Sequence, residues 1–123
     1  MDKFYKFCGL HELDVSIVEK NIHRIQRLCG CNTFEDILVP IQSLEEILET
    51  LLDKYTLLTV ISVMETIKYI GIFFCFDKSF MYKHSDEYNS LLDLRDNKNM
   101  YSNFSIFEVK RIMDEKVDYI LQN

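Results

Sequence analysis

The sequence predicts an all-α protein, a compact bundle of about five helices packed around one central hydrophobic helix. Only one proline and three glycines occur in 123 residues, whereas an all-β fold needs a turn about every 8 to 12 residues. Residues 55–76 are apolar on several faces, as expected for a helix that other helices enclose. A chain of this length supports one hydrophobic core, so we expect residues 1–123 to form a single helical domain.

The composition is that of a globular protein with an acidic surface. Hydrophobic residues make up 48% of the chain and charged residues 28%, and the net charge is −6. These proportions are typical of folded domains. Because nucleic-acid affinity comes largely from Lys and Arg side chains that neutralise phosphates, such a chain needs a local basic surface to bind DNA.

The first residues do not resemble a secretion signal, since Lys3 and Lys6 interrupt the aromatic residues Phe4, Tyr5 and Phe7. We therefore expect a cytoplasmic or nuclear protein that is not secreted. In such a compartment the cysteines are expected to be free thiols rather than a disulfide framework. The four cysteines are Cys8, Cys29, Cys31 and Cys75.

The N-terminal residues 1–13 carry a weak helical signal. Phe4, Phe7 and Leu10 follow one another at a spacing of three, but Gly9 interrupts the pattern. The segment is compatible with a short helix, and we interpret it as a docking arm.

Helix one is predicted to start at Ser16, because Ser16 and Glu19 have the spacing of a capping box. Gly30 is expected to end this helix. One apolar stripe follows from the spacing i, i+4, i+7 and i+11. Its members are Val18, Ile22, Ile25 and Cys29.

Helix two is predicted from Ser43 to about Lys54, again from a capping box, which pairs Ser43 with Glu46. Residues 33–39 are predicted to form a short helical connection between helix one and helix two. This connection ends before Pro40, because a proline disfavours helix at the residue that precedes it.

The central helix is predicted to begin near Thr56 or Thr59 and to continue to about Phe76. Polar residues within it argue against a membrane span. Glu65 and Lys68 are expected to form an i, i+3 ion pair on its surface. The polar interruptions are Thr59, Ser62, Glu65, Thr66 and Lys68.

Two more helices are predicted after the polar stretch 77–85. One covers residues 86–95, and a C-terminal helix covers residues 103–121. His84 falls in the polar stretch, which we interpret as a solvated loop. The adjacent His84, Ser85 and Asp86 do not imply a catalytic triad, because neighbours in sequence do not align a nucleophile with its base.

No catalytic motif, phosphate-binding loop or metal-ligand pattern occurs in the sequence. Cys29 and Cys31 lack a second ligand pair at zinc-site spacing and are interpreted as small thiols at a helix end. We therefore expect no catalytic residues, metal, cofactor or small-molecule substrate, and the protein is not expected to be an enzyme.

One group of residues suggests binding. Lys20, His23, Arg24 and Arg27 recur at i, i+3, i+4 and i+7, opposite the apolar stripe of helix one. They form either an ordinary solvated helix face or a surface that contacts a phosphate backbone.

The order of these signals resembles the N-terminal core-binding domain of tyrosine recombinases of the phage-integrase type, a SAM-like helical bundle. Members open with a Ser or Thr followed by an amphipathic helix, as in residues 13–25, then a short helix as in 43–53 and a Thr-containing helix as in 55–74. The resemblance covers about residues 13–100, and residues 103–120 are similar to the helix that leads into the catalytic half.

The resemblance implies DNA binding without chemistry, since the chain ends where the recombinase catalytic domain would begin. It implies that helix one and the central helix approach the DNA. The phosphate contacts would be Lys20, His23, Arg24, Arg27 and Lys68.

A different interpretation is a protein-interaction module similar to the viral death-suppressor bundles, with a groove that receives a partner helix or a second copy of the chain. The large apolar residues near the end of the central helix favour it, because they could exceed what the core covers. The candidate partner-binding residues are Phe73, Phe76, Phe80 and Met81.

Overall fold

The structure is a computed structural model, and it describes residues 2–96. Within this range the chain forms α-helices and no strand, which confirms the all-α prediction. The predicted helix over 103–121 lies outside the described residues. The helices are α1 (Asp2–Leu10), α2 (Val15–Cys29), α3 (Leu44–Lys54), α4 (Leu57–Phe73) and α5 (Lys78–Asp96), with 3₁₀ turns at Glu35–Ile37 and Pro40–Gln42 between α2 and α3.

Helix α4 is the centre of the bundle, as predicted. It packs against α1, α2, α3 and α5. It begins after Thr56, whose hydroxyl oxygen accepts a hydrogen bond from the Thr59 amide. Five of its side chains are completely buried, which makes the helix the main contributor to the core. These are Val60, Val63, Met64, Ile67 and Ile70.

The central helix ends at Phe73, earlier than the predicted Phe76. Cys75 has a φ of 55°, a left-handed conformation that stops the helix. The Phe76 amide donates to the Gly71 carbonyl at 2.9 Å, which is the hydrogen bond of a Schellman-type helix end.

The N-terminal segment is a short helix, as its spacing allowed, and its inner face is part of the core. Phe4 is 1% exposed and Cys8 is fully buried, one helical turn apart on the inner face of α1. The Phe4 ring lies 5.4 Å from the Phe34 ring and 5.6 Å from the Phe73 ring. Gly9 does not break the helix, since it lies on the exposed side.

Helix one of the sequence is α2, and its predicted N-cap is wrong. The cap is Asp14, whose carboxylate accepts from the Ser16 amide at 2.9 Å and from the Ile17 amide at 3.4 Å. An aspartate is as good a cap as a serine, and here it occupies the cap position. Gly30 ends the helix with a φ of 66°, as predicted.

Helix α3 begins where it was predicted to begin, after Ser43. The Ser43 side chain makes no capping hydrogen bond, however, so the predicted capping box does not form. The helix buries Leu48 and Leu51 completely.

Helix α5 starts at Lys78, so the prediction of a solvated loop over 77–85 is wrong. Asp77 precedes the helix, and its carboxylate accepts from the Ser79 amide at 2.7 Å. His84 lies inside this helix and is fully buried. The polar sequence is helical because α5 buries only one face, which carries His84, Glu87, Leu91 and Leu94.

Candidate docking groove on the central helix

The most accessible side chains of helix α4 lie along one face, although Leu57, Thr59, Lys68 and Phe73 are also half-buried outside it. The accessible side chains recur at i, i+4, i+7, i+11 and i+14, which places them on one face of the helix. Leu58 and Ile72, at the two ends, are 66% and 42% exposed. Fourteen residues of helix separate these ends, so the stripe is about 21 Å long. We call it the α4 stripe; its members are Leu58, Ser62, Glu65, Tyr69 and Ile72.

The exposure of Leu58 corrects one expectation, since residues 55–76 were predicted to be enclosed by the other helices. Ile61, Met64 and Ile67 are buried as that prediction requires. The neighbouring helices thus cover the side chains on the inner faces of α4 but leave Leu58 on its outer face exposed to solvent.

Residues from the α1–α2 corner border one edge of the stripe. Leu13 and Ile17 line a depression together with Ser62 and Glu65, and Ile17 is 45% exposed. Further along, the His11 ring lies 5.4 Å from the ring of Tyr69. This border therefore carries both apolar side chains, Leu13 and Ile17, and the carboxylates of Glu12 and Asp14.

Helix α5 borders the other edge through Tyr88. Burial raises the pKa of the Tyr88 hydroxyl, and the nearby carboxylate of Glu65 raises it further. The Tyr88 ring stacks on the buried His84 ring with centroids 6.1 Å apart. With Leu13, Ile17, His11 and Tyr88 beside it, the α4 stripe is the base of a groove, which we call the α4 groove.

The predicted ion pair between Glu65 and Lys68 does not form. The Lys68 ammonium instead lies over the Tyr69 ring, 5.7 Å from its centroid. Among the described residues no hydrogen bond or ion pair reaches Glu65, which is half-buried. Its charge is left open to the groove.

A buried hydrogen-bond cluster around Asn21 holds α2 against α4 beside this groove. The Asn21 amide nitrogen donates to the Ser62 hydroxyl at 3.0 Å and to the Thr66 hydroxyl at 2.9 Å. Arg24 donates to the Asn21 amide oxygen at 2.7 Å. Sequence reasoning missed Asn21, although a polar residue between Val18 and Ile22 on the apolar face was a detectable signal.

The structure brings together only some of the predicted DNA contacts. Lys20, His23 and Arg27 are exposed on the outer face of α2, and we call them the basic row. Arg24 is half-buried, since it is bonded to Asn21 and its guanidinium lies 5.9 Å from the centroid of the Tyr55 ring.

Lys68 lies away from the basic row. Thr66 faces α2 through Asn21, and two further residues rotate the side-chain direction by about 200°. Lys68 therefore points to the side of α4 opposite to α2, near His84 of α5.

The predicted partner-binding residues pack the corner between α4 and α5. All four are half-buried, and the Phe76 and Phe80 rings meet edge to face at 5.2 Å. A Cβ atom added at Gly71 would lie 2.8 Å from the Met81 sulfur, so this corner is tightly packed. Phe76, Phe80 and Met81 thus pack at the start of α5, whereas the Phe73 ring packs on α1, 5.6 Å from the Phe4 ring and 5.2 Å from the Phe7 ring.

Two titratable side chains are buried where α5 packs on α4. His84 Nε2 lies 2.6 Å from the Met64 carbonyl oxygen, and burial lowers the pKa of His84 to about 4, so the neutral ring donates this bond. Burial raises the pKa of Glu87 to about 7. Within residues 2–96, His84 Nδ1 and both Glu87 oxygens have no hydrogen-bond partner. Because both side chains are closed off from solvent, neither is placed to act on a substrate.

The cysteines next to Gly30 are structural thiols. Burial, and then the neighbouring Cys31, raise the pKa of Cys29, and the Cys31 thiol donates to the Asp36 carbonyl at 3.4 Å. In the described part of the chain no group of three or more His, Cys, Asp or Glu side chains could hold a metal ion. None of the helices over residues 2–96 combines the length and apolarity needed to cross a membrane.

Comparison with known proteins adds no identification. No protein-family model, curated protein or solved structure was found to match the chain. The resemblance to recombinase core-binding domains therefore stays a hypothesis.

Proposed function

We propose that this protein is a protein-interaction module whose α4 groove binds an amphipathic helix of a partner protein. The observation that carries the proposal is the α4 stripe, a line of exposed and half-buried side chains on the central helix of the bundle. A partner helix lays apolar residues into such a groove at the spacing i, i+3, i+4 and i+7. A stripe of about 21 Å fits a partner helix of about four turns.

The two ends of the stripe provide the apolar contacts. Leu58 and Ile72 are 66% and 42% exposed. Ile17, which is 45% exposed, lines the depression beside Ser62 and Glu65, which lie between them along the stripe. Covering these side chains would stabilise a complex by removing apolar area from water.

The experiment is a titration of the full chain with fluorescently labelled, helical Leu-rich amphipathic peptides of about 15 residues, followed by anisotropy. We expect Leu58→Asp and Ile72→Asp each to weaken binding by about tenfold or more, because each places a charge against the apolar face of the peptide. Val39→Asp is the matched control, since Val39 is 77% exposed and lies in the α2–α3 connection. Peptide binding that survives both groove variants, or no binding at all, contradicts the proposal.

A second candidate function is DNA binding through the basic row. It is supported by the exposure of Lys20, His23 and Arg27 on one face and by the absence of ion pairs to them among the described residues. The charges of one lysine and one arginine would neutralise few phosphates, so DNA binding should be weak and its salt dependence shallow.

Titration of a short DNA duplex at two salt concentrations tests this function. We expect the double variant Lys20→Ala, Arg27→Ala to weaken binding and to reduce the salt slope by about two. Lys54→Ala, an exposed lysine at the end of α3, is the control. The same loss in the control, or no binding of the unmodified chain at low salt, would exclude the basic row as a DNA site.

A further inference from the structure

Glu65 occupies the middle of the α4 stripe. It follows Leu58 by seven residues and precedes Ile72 by seven, so a carboxylate lies between two apolar ends on one helix face. The side chain is half-buried. A charge in such a position interacts more strongly with a partner than a charge in open water.

The cations nearest in the fold are engaged elsewhere. Lys68 lies over the ring of Tyr69, and Arg95 of α5 pairs with Asp96 at 3.1 Å. Arg24 donates to Asn21. Glu65 is the charged member of the stripe. Among the described residues no ion pair reaches it, and the Lys68 ammonium over the Tyr69 ring is a cation beside the stripe.

Two further carboxylates lie beside Glu65, and the oppositely charged Lys68 follows it by three residues. Glu12 and Asp14 line the same depression, and the Asp14 carboxylate already accepts from two α2 amides. The apolar residues Leu13 and Ile17 line the same depression. The carboxylates of Glu12, Asp14 and Glu65 thus outnumber the Lys68 ammonium at the middle of the α4 groove, while its two ends are apolar.

We propose that the partner helix carries a lysine or arginine midway along its docking face, which pairs with Glu65, and apolar residues about two turns to either side, which contact Leu58 and Ile72. This inference rests on the proposed function. Complementary charge at the centre of a groove fixes the register and orientation of the bound helix and excludes partners of the wrong charge.

The test compares two synthetic amphipathic peptides that differ only at the central position of the apolar face, which is lysine in one and glutamate in the other. We expect the lysine peptide to bind the full chain about tenfold more tightly. Glu65→Gln should bring the two affinities together, and Glu65→Lys should reverse their order. Glu49→Lys makes the same charge change at an exposed position of α3 and should preserve the original order.

The outcomes separate this inference from the proposed function. If both peptides bind equally and Ile72→Asp abolishes both, the groove binds helices but the charge assignment is overturned. If neither peptide binds, the proposed function itself fails. If the preference for lysine survives Glu65→Lys, the cation pairs elsewhere and the inference is wrong.

The occupant of the groove is identified by photo-crosslinking from position 72, with Ile72 replaced by a photoreactive amino acid in the full chain. Crosslinks to the lysine peptide support the inference. Crosslinks to a second copy of the chain, or to residues 97–123 of the same chain, would show that the groove is already filled and would overturn the assignment of a separate partner.

Discussion

At the residue scale, the contributions of His84 and Glu87 to the free energy of unfolding change with pH in opposite directions, although both side chains lie on the buried face of α5. Each is held in its neutral form by burial, which raises the pKa of Glu87 and lowers the pKa of His84. Lys83 acts against the shift of Glu87, whereas the carboxylates of Glu45 and Asp86 add to it. Lys68 adds to the shift of His84.

Replacing Glu87 is expected to stabilise the protein at alkaline pH. The pKa of Glu87 is about 7 in the fold against an ordinary value of 4.5, so the folded state retains a proton that the unfolded state releases. The free energy of unfolding therefore falls as pH rises from about 4.5 to about 7. Glu87→Met removes this loss and should raise the free energy of unfolding by about 1–3 kcal/mol above neutral pH.

Urea unfolding at several pH values measures this effect. Glu49→Met is the control, because Glu49 is exposed on α3. An unchanged free energy of unfolding in Glu87→Met above neutral pH would show that the carboxylate is not buried as described.

The contribution of His84 has the opposite sign. The pKa of His84 falls from 6.5 to about 4 in the fold, so the unfolded state takes up a proton first as pH decreases. Stability is therefore full above about pH 6.5 and is lost as pH falls towards about 4. Between about pH 4.5 and pH 6.5 the Glu87 effect has the opposite sign and acts against it.

The Glu87→Met background exposes the histidine effect. In that background we expect the free energy of unfolding to decline below about pH 6.5, and the further change His84→Phe should flatten the decline. A decline that persists without His84 would assign the acid sensitivity to other groups.

At the element scale, the position of α2 against α4 depends on Asn21. Its side chain supplies the donor for Ser62 and Thr66 and the acceptor for Arg24. Removing one member of a buried network leaves its partners unsatisfied. The border of the α4 groove that α2 provides should therefore loosen with it.

Asn21→Ala is expected to lower the free energy of unfolding by about 2–3 kcal/mol. The reason is that the Ser62 and Thr66 hydroxyl oxygens lose the hydrogen bonds that the Asn21 amide nitrogen donates to them. Asn89→Ala, at an exposed position of α5, is the control and should change stability little. Thermal denaturation followed by circular dichroism measures both. Equal melting temperatures for the two variants would contradict the structural role of Asn21.

The elements that sequence reasoning predicted well are those with a regular apolar pattern. α2, α3 and α4 repeat apolar residues at helical spacing, and Gly30 and Thr56 mark two of their ends. The N-terminal part of α5 was missed because its inward positions carry polar residues such as His84, which weakens the periodic signal. α1 was uncertain because Gly9 lies within a short helix, and only its packing through Phe4 shows it to be part of the core.

At the scale of the whole molecule, the central hydrophobic helix was predictable but its open side was not. Leu58 and Ile72 are aliphatic, as are most of the buried side chains of α4, so composition does not distinguish them. Exposure depends on where α1, α2 and α5 pack, which is a property of the assembled bundle. The same holds for Lys68, which the fold separates from the basic row.

Some of the acidic side chains lie close together in the folded molecule. Glu65, Glu12 and Asp14 concentrate negative charge at one groove, while the basic row occupies the outer face of α2. The two proposed surfaces are thus distinct and can be tested by separate variants. Substitution of the basic row should leave peptide binding unchanged, and substitution of the groove should leave any DNA binding unchanged.

The most direct measurement of the central claim is a methyl NMR titration of the full chain with the lysine-bearing amphipathic peptide. If the peptide binds in the α4 groove, the chemical shifts of the Leu58, Ile72 and Ile17 methyl groups change together along one saturable curve as peptide is added. The chemical shift of the Val39 methyl groups then stays unchanged. Signals that stay unchanged at Leu58 and Ile72, or that shift equally at Val39, would contradict the α4 groove as a docking site.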